Sequence, residues 1–200
     1  MAINVALIGN PNVGKTVIFN YLTGSRQHVG NWPGVTVEKK DGKCTYKGEE
    51  MNMVDLPGTY SLTASAVDEM IARNYIINEK PDVVVDIVDA SNIERNLYLT
   101  LLLLELEANV VVALNMMDVA TSKYQIDVDM LSRLLGVPVV STVATKGEGM
   151  EELKEKIVMA AKGKDKRRFI TIGYGEKIER QIKGVEEVIS KDRDFLTNIL

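Results

Sequence analysis

Gly9-Asn10-Pro11-Asn12-Val13-Gly14-Lys15-Thr16 fits the pattern GxxxxGK(S/T), and its position in the sequence gives the match its meaning. The mostly apolar run of residues 3–8 before it predicts a short buried strand, and residues 15–22 after it predict the start of a helix. A glycine-rich turn between a strand and a helix N-terminus directs backbone N–H groups at anionic oxygens. The stretch therefore predicts a phosphate-binding loop, in which Lys15 contacts the β- and γ-phosphates and the Thr16 hydroxyl binds Mg²⁺.

The composition is that of an ordinary globular domain. The 200 residues are 46% hydrophobic and 26% charged, which predicts one α/β domain with a small appendage. A net charge of −4 argues against a nucleic-acid-binding surface over the whole domain, so no nucleic-acid partner is expected. Cys44 and His28 are the only residues of their types, which excludes an internal disulfide and a Cys/His metal cluster and favours a reducing compartment. The N-terminal residues show no secretory signal, and the apolar run at 97–104 is too short to span a bilayer.

Apolar runs of strand length alternate with helical patterns along the chain. Parallel strands, buried on both faces, are expected at residues 5–8, 51–54, 83–88, 110–114 and 137–140. A sixth strand at residues 37–46 precedes a turn, which predicts a hairpin and one antiparallel edge strand. Helices are expected at residues 15–22, 67–77, 94–107, 128–135 and 150–161. The predicted fold class is therefore α/β, with a doubly wound, mostly parallel six-stranded sheet.

The composition changes near the C-terminus. The charged residues 162–168 predict a linker, and the spacing of Ile178, Ile182, Val185 and Ile189 beyond it predicts a separate amphipathic helix. The apolar residues 195–200 have nothing left to pack on, so we expect the chain to be part of a longer protein. The predicted division is a nucleotide-binding domain at 1–165, then at 166–200 the linker and the start of a helical subdomain.

Polar residues follow two of the predicted strands at their carboxyl ends, where ligands bind in open α/β sheets. In Asp55-Leu56-Pro57-Gly58, we expect the carboxylate of Asp55 to hold Mg²⁺ through water and the Gly58 N–H to approach a γ-phosphate. In Asn115-Met116-Met117-Asp118, the carboxylate of Asp118 can accept two hydrogen bonds from guanine, and Asn115 is expected to tie this loop to the phosphate loop. Adenine offers neither donor in that place, so the second motif predicts selectivity for guanine.

Three further segments complete the predicted site. Thr36 lies between the phosphate loop and Asp55, where a hydroxyl can complete the Mg²⁺ shell only when the γ-phosphate is present, which predicts a switch. Trp32 lies in the same loop, so its environment is expected to follow the nucleotide state; a fixed apolar pocket is the alternative. Backbone N–H groups of residues 143–146 are expected to contact the base. The side-chain oxygen of Asn12 can bind a monovalent cation, expected to be K⁺, against the phosphates; the alternative is a hydrogen bond to the loop backbone.

These residues resemble the small GTPase fold and, within it, the N-terminal G domain of the FeoB family of prokaryotic ferrous iron transporters. The resemblance covers about residues 1–165 and rests on the phosphate loop with Pro11-Asn12 and on the stretches 30–38 and 55–62, of which 30–38 is the most specific to the family. It implies a regulatory domain that binds and slowly hydrolyses GTP at the cytoplasmic face of the cell membrane. It also implies partners: guanine nucleotide, the helical and membrane domains of the same full-length protein, and a homo-oligomer.

Two positions depart from the general GTPase pattern. Met116 stands where many GTPases have a lysine that packs over the base, although FeoB-like sequences tolerate this change. Thr59 stands where many have the glutamine that orients the attacking water, so intrinsic hydrolysis is expected to be slow and K⁺ the more necessary. Two alternatives remain open: an Era-like GTPase in ribosome assembly or tRNA modification, and a nucleotide-sensing module with negligible turnover.

The predicted site residues fall into three groups that share members. Catalytic roles are assigned to Lys15, Thr36, Gly58 and Asn12. Mg²⁺ is assigned to Thr16, Thr36 and Asp55, and K⁺ to Asn12. Nucleotide contacts are assigned to Asn10, Asn12, Val13, Gly14, Lys15, Thr16, Val17, Gly34, Thr36, Asp55, Gly58, Asn115, Met116, Asp118, Val143, Ala144 and Thr145.

Overall fold

The computed structural model describes residues 2–24, 27–122 and 125–163. Within these ranges the strands are β1 Ile3–Gly9, β2 Gln27–Asn31, β3 Glu38–Tyr46, β4 Glu49–Asp55, β5 Val83–Asp89, β6 Val110–Asn115 and β7 Val139–Ser141. The helices are α1 Lys15–Thr23, α2 Val67–Glu79, α3 Ile93–Glu105, α4 Met117–Ala120, α5 Val128–Leu135 and α6 Met150–Ala161, with 3₁₀ turns at Ala90–Asn92 and Ala144–Lys146. The amphipathic helix predicted around Ile178 to Ile189, and most of the predicted linker, lie outside the described residues.

The strands form one sheet in the order β2-β3-β4-β1-β5-β6-β7. The pairs that β1 makes with β4 and β5 are parallel, as are β5 with β6 and β6 with β7, whereas β3 runs antiparallel to both neighbours. The mostly parallel sheet with one antiparallel strand at its margin is therefore confirmed, but it has seven strands rather than six. The additional strand, β2, lies outside β3 and contains one large apolar residue, Val29, which is exposed. A strand held by edge hydrogen bonds alone has no apolar alternation by which a sequence could reveal it.

Two apolar cores lie on opposite faces of the sheet. Val5 and Leu7 of β1 pack with Phe19 of α1 and Leu153 of α6, whereas Ala6 and Ile8 pack with α2 and α3. This alternation follows from the two-residue period of a strand. Because both faces are covered by helices, the sheet exposes its edges and the ends of its strands, and the polar ends of the strands are left for function.

The parallel register brings the carboxyl ends of four strands to one edge of the sheet. Leu7 is opposite Asp55, Gly9 is opposite Ile87, and Asp89 is opposite Asn115. The loops that leave these strands therefore lie side by side, although their residues are far apart in the sequence. This edge holds the candidate site.

Candidate functional site

A cleft of about 670 Å³ opens at this edge of the sheet. Its volume is within the usual range for small-molecule sites. Most of the predicted nucleotide contacts line it: Asn10, Asn12, Gly14, Lys15, Thr16, Val17, Gly58, Asn115, Met116, Asp118, Val143, Ala144 and Thr145. Pro11 and Asp68 line it as well. One cavity is thus surrounded by the phosphate loop, the segment after β4 and the two loops expected to contact the base, residues 115–118 and 143–146, which we call the base loops.

Steric requirements fix the backbone of the phosphate loop. A Cβ on Gly9 would lie 2.6 Å from the carbonyl oxygen of Ile87, and one on Gly14 would overlap Nδ2 of Asn115. Gly14 also has a φ of +90° and directly precedes α1, while Asn12 has a φ of +67°. Glycine tolerates such angles freely and asparagine more readily than most residues, so the sequence matches the loop conformation where it is most demanding.

The side chain of Asn10 is buried beside the cleft. The residue is 3% exposed, and neither its Oδ1 nor its Nδ2 has a hydrogen-bond partner among the described residues. A buried amide left unpaired costs about 1–3 kcal/mol, and native proteins rarely leave one so. Its place in the lining indicates that a polar ligand or its hydration satisfies this side chain.

Lys15 and Asp55 form an ion pair at the floor of the site, from the ammonium to Oδ1. Burial raises the pKa of Asp55, and the charge and hydrogen bond of Lys15 oppose that rise. The pair places an ammonium, which suits phosphate oxygens, and a carboxylate, which suits Mg²⁺, next to the exposed Thr16. The donor set therefore fits a magnesium–phosphate group.

Asn115 joins the phosphate loop to both base loops. Its Nδ2 donates to the carbonyl of Val13 at 2.8 Å, which is the tie that the sequence predicted. Its Oδ1 accepts from the N–H of Ala144 at 3.0 Å and from Oγ1 of Thr142 at 3.2 Å. Because Asn115 is itself buried, these bonds fix three loops against one another without competition from bulk water.

The expected guanine carboxylate, Asp118, is held by the protein through both oxygens. Oδ1 accepts from the N–H of Val119 at 3.1 Å, and Oδ2 lies 3.1 Å from Nζ of Lys146. The hydrogen bond from Lys146 lowers the pKa of Asp118, so the carboxylate is ionised at neutral pH. Met116, two residues earlier, has a φ of +60°, which is unusual for a residue of this type and places local backbone strain inside the base loop.

The segment after β4 runs along the end of β1. The N–H of Leu56 donates to Leu7 at 2.9 Å, and the N–H of Thr59 donates to Gly9 at 3.1 Å. A Cβ on Gly58 would meet Pro11 at 3.4 Å, an ordinary contact, so the protein alone does not demand glycine there. The hydroxyl of Thr59 is buried and donates to the carbonyl of Ser61 at 2.8 Å, which engages it locally.

Four predicted contacts lie off the cleft. Val13 is buried in the core beneath it, and Asp55 reaches the site through Lys15. Gly34 and Thr36 are exposed in a loop whose ends are joined by the N–H of Trp32 and the carbonyl of Val37, 2.9 Å apart. The structure therefore does not bring the predicted nucleotide contact Gly34 or the predicted switch residue Thr36 to the other loops.

Trp32 anchors that loop in the core between the sheet and α2. It is 9% exposed and meets Tyr75 edge to face at 5.6 Å between ring centroids, while Nζ of Lys39 lies 5.3 Å from the indole centroid. The indole is therefore buried in a largely apolar pocket, and the dependence of its environment on the nucleotide state stays a prediction.

Sequence reasoning missed one residue of the site, Asp68, and the side-chain role of another, Lys146. Asp68 lines the cleft from the first turn of α2, and no motif marks it, because an acidic residue there is also an ordinary helix-start preference. Lys146 was expected to offer only its backbone N–H to the base; that N–H donates to the carbonyl of Val143 at 2.9 Å, and it is the side chain that contacts Asp118.

A doubly wound sheet with a phosphate loop after its first strand and an Asn-x-x-Asp loop after a later strand is typical of the G-domain class of P-loop nucleotide-binding proteins. The chain has all three features and is of that class. Within the class it belongs to the family described as ferrous iron transport protein B, which matches residues 3–157. This membership favours the FeoB-like interpretation of the sequence over the Era-like one.

Named relatives agree with this assignment. The Fe(2+) transporter FeoB of Salmonella typhimurium is 55% identical over 157 residues, which are 76% of this chain and 20% of the relative. The FeoB G-domain from Methanococcus jannaschii is 57% identical with a TM-score of 0.73, covering 80% of this chain and 98% of that one. The cytosolic domain of the T. maritima FeoB iron transporter in a GDP form is 50% identical with a TM-score of 0.89, covering 94% of this chain and 74% of that one.

The chain spans about a fifth of the length of the curated relatives that it matches. Across the described residues, no helix is both long and apolar enough to cross a membrane.

Proposed function

We propose that this chain binds GTP and hydrolyses it slowly to GDP and phosphate, as a regulatory switch. The observation that carries the proposal is one cleft lined by the phosphate loop at one end and by Asn115, Met116 and Asp118 at the other. Similar proteins were solved in GDP and GMPPNP forms, which agrees with a guanine nucleotide as ligand.

The phosphate end would hold the triphosphate and Mg²⁺. Backbone N–H groups of the phosphate loop cradle the phosphates, and Lys15 moves from Asp55 to their oxygens. Thr16, and Asp55 through water, would hold Mg²⁺, which neutralises charge on the phosphates when it is bound. Asn10, buried and with no hydrogen-bond partner in the described ranges, would supply an amide to this polar group. Gly34 and Thr36 would reach the site only by movement of their loop, which makes that loop the switch.

The base end would select guanine. Asp118 accepts from the ring N–H and the exocyclic amine. The N–H groups of Val143 and Ala144 donate to Glu148 and Asn115 in this structure, so of the three expected N–H contacts the one from Thr145 is proposed to reach the base oxygen. Val17 and the stem of Met116 would pack beside the nucleoside.

Turnover distinguishes this function from nucleotide sensing without hydrolysis. Phosphate release from GTP, with Mg²⁺ present, should be measurable for the 200-residue chain and slow, since Thr59 has no amide and its hydroxyl is engaged by Ser61. Lys15→Ala should abolish it. Tight GTP binding with no phosphate release over a day would contradict the proposal and favour the sensing module.

K⁺ should stimulate hydrolysis through Asn12. The Asn12 side chain lines the cleft and makes no hydrogen bond within the described part of the protein, which leaves its oxygen available to a cation. A cation there would offset charge that develops on the bridging oxygens. We expect faster turnover in K⁺ than in Na⁺ at equal ionic strength, and loss of the difference in Asn12→Ala. Equal rates in both salts, or an unchanged K⁺ response in the variant, would refute this role.

The role of the whole protein is proposed from family membership. The relatives are named as Fe(2+) transporters, so we propose that this domain regulates ferrous iron transport at the cytoplasmic face of the membrane. Residues 166–200 would form the linker and the start of a helical subdomain toward the membrane domains, which with a homo-oligomer are the proposed partners. Deleting residues 170–200 should leave nucleotide binding intact.

A further inference from the structure

Residues 143–148 form a closed turn beside the base loop that contains Asp118. The N–H groups of Lys146 and Glu148 donate to the carbonyl of Val143 at 2.9 and 3.3 Å, and the N–H of Val143 donates back to Glu148 at 3.2 Å. Gly147 has a φ of +73° and packs on α1, where a Cβ would lie 2.8 Å from the ring of Tyr21. The turn is fixed by its own hydrogen bonds and by α1, so Lys146 leaves it from a defined position.

The Lys146 side chain crosses from this turn to the base loop. Its Nζ lies 3.1 Å from Oδ2 of Asp118, and the N–H of Val119 holds the other oxygen at 3.1 Å. Two donors from different directions fix the plane of a carboxylate. Each oxygen keeps a further lone pair, so both can still accept from a base.

The charges that line the cleft are unevenly distributed, and Lys146 adds a positive charge beside Asp118. Among the described residues that line it, Lys15 is the cation and lies at the phosphate end, while Asp68 and Asp118 are acidic. Met116 brings no charge to the base end. Lys146 therefore supplies, from the neighbouring loop, an ammonium that the base loop itself does not contain.

We propose that Lys146 is a positioning residue for guanine selectivity, which holds the Asp118 carboxylate in the orientation that accepts both donors of the base. This role rests on the proposed nucleotide-binding function. Without Lys146 the carboxylate turns more freely, so the second donor of guanine, its exocyclic amine, contributes less to binding. Inosine lacks that amine and should be affected less.

A second consequence concerns protons. Lys146 lowers the pKa of Asp118, and Glu148, in the same turn, is the other charged group that acts on Lys146. The base donors need the ionised carboxylate, so binding weakens as pH falls through the pKa of Asp118. Removing Lys146 should raise that pKa and move the acid loss of affinity to higher pH.

The test compares GDP with inosine diphosphate in competition against a fluorescent guanine nucleotide, using the full chain. Lys146→Met should weaken GDP binding about two- to fivefold, as expected for loss of an exposed charge pair, and should lower the ratio of GDP to inosine diphosphate affinity. Lys146→Arg should restore both. Lys47→Met is the matched control, because Lys47 pairs with Glu155 at 3.4 Å on an exposed surface and does not line the cleft.

The pH profile separates positioning from a general structural effect. Between about pH 7 and pH 4.5, GDP affinity of Lys146→Met should fall more steeply than that of the unmodified chain or of Lys47→Met. An unchanged affinity ratio and pH profile in a Lys146→Met protein that binds GDP would overturn this inference alone. Failure of the unmodified chain to bind GDP would overturn the proposed function, and this inference with it.

Discussion

Replacing Asn115 with alanine should separate the phosphate loop from the base loops. The substitution removes the 2.8 Å bond to Val13 and the 3.0 Å bond from Ala144, and leaves a buried carbonyl and a buried N–H without partners. Each such group costs about 1–3 kcal/mol, and water entering from the cleft can recover part of this. We therefore expect the free energy of unfolding to fall by about 2–4 kcal/mol, a large share of the roughly 5–15 kcal/mol of a typical domain.

Guanidinium unfolding followed by circular dichroism measures this loss, and titration with a fluorescent GDP measures the effect on the site. Asn52→Ala is the control, because Asn52 donates to Asn4 at 3.1 Å in an exposed pair on the sheet. GDP affinity should drop in Asn115→Ala and stay unchanged in Asn52→Ala. A loss of stability below about 0.5 kcal/mol, the range of ordinary surface substitutions, would refute the argument that Asn115 joins these loops.

Three further predictions concern single side chains. Asp118→Asn should weaken GTP binding by about 1–3 kcal/mol and shift preference toward xanthine nucleotides, and unchanged GTP affinity in a titration would contradict its role. The emission of Trp32 should change in intensity between the GDP and GTP-analogue forms without the red shift of an exposed indole; identical spectra would indicate that the indole does not take part in the switch. Burial raises the pKa of Asp86 to about 7 against a hydrogen bond from Thr100, so the folded chain should lose stability as pH rises from about 4 to about 7. Asp86→Asn should remove this pH dependence of the free energy of unfolding and should be more stable than the unmodified chain above pH 7. Unfolding measured at several pH values tests this. If the variant shows the same pH dependence as the unmodified chain, Asp86 is not its source.

Much of the fold could be predicted because buried strands and amphipathic helices leave strong periodic patterns. The helix predicted at 128–135 is observed at Val128–Leu135, and α6 likewise has the predicted bounds. The sequence does not predict β2 because its single large apolar residue is exposed. The strand is stabilised by pairing with β3, a contact that no local sequence pattern reveals. The sequence shows which segments are apolar but not which edge accepts one more strand.

Some residues of the candidate site could likewise be predicted from the sequence and others could not. The loops after the strands could be placed because parallel strands end at one edge, so a motif and its strand together fix a location. Asp68 and Lys146 reach the site from a helix turn and from a neighbouring loop, and their approach depends on tertiary packing that no local pattern records. The roles of the loop residues stay predictions until nucleotide binding is measured.

Trp32 would limit the movement of the loop proposed as the switch, residues 32–37. Burying an indole removes roughly 150–250 Å² from water, worth about 4–6 kcal/mol. A hydrogen bond to a charged group contributes only about 1.5–3 kcal/mol, and a ligand shifts an equilibrium by no more than its difference in affinity for the two states. One new interaction between Thr36 and the ligand therefore cannot offset full exposure of Trp32. In the proposed switch, the exposed part of the loop, Pro33, Gly34 and Thr36, would therefore move about an indole that stays buried beside Tyr75, which is why its emission should change in intensity rather than shift toward that of exposed tryptophan.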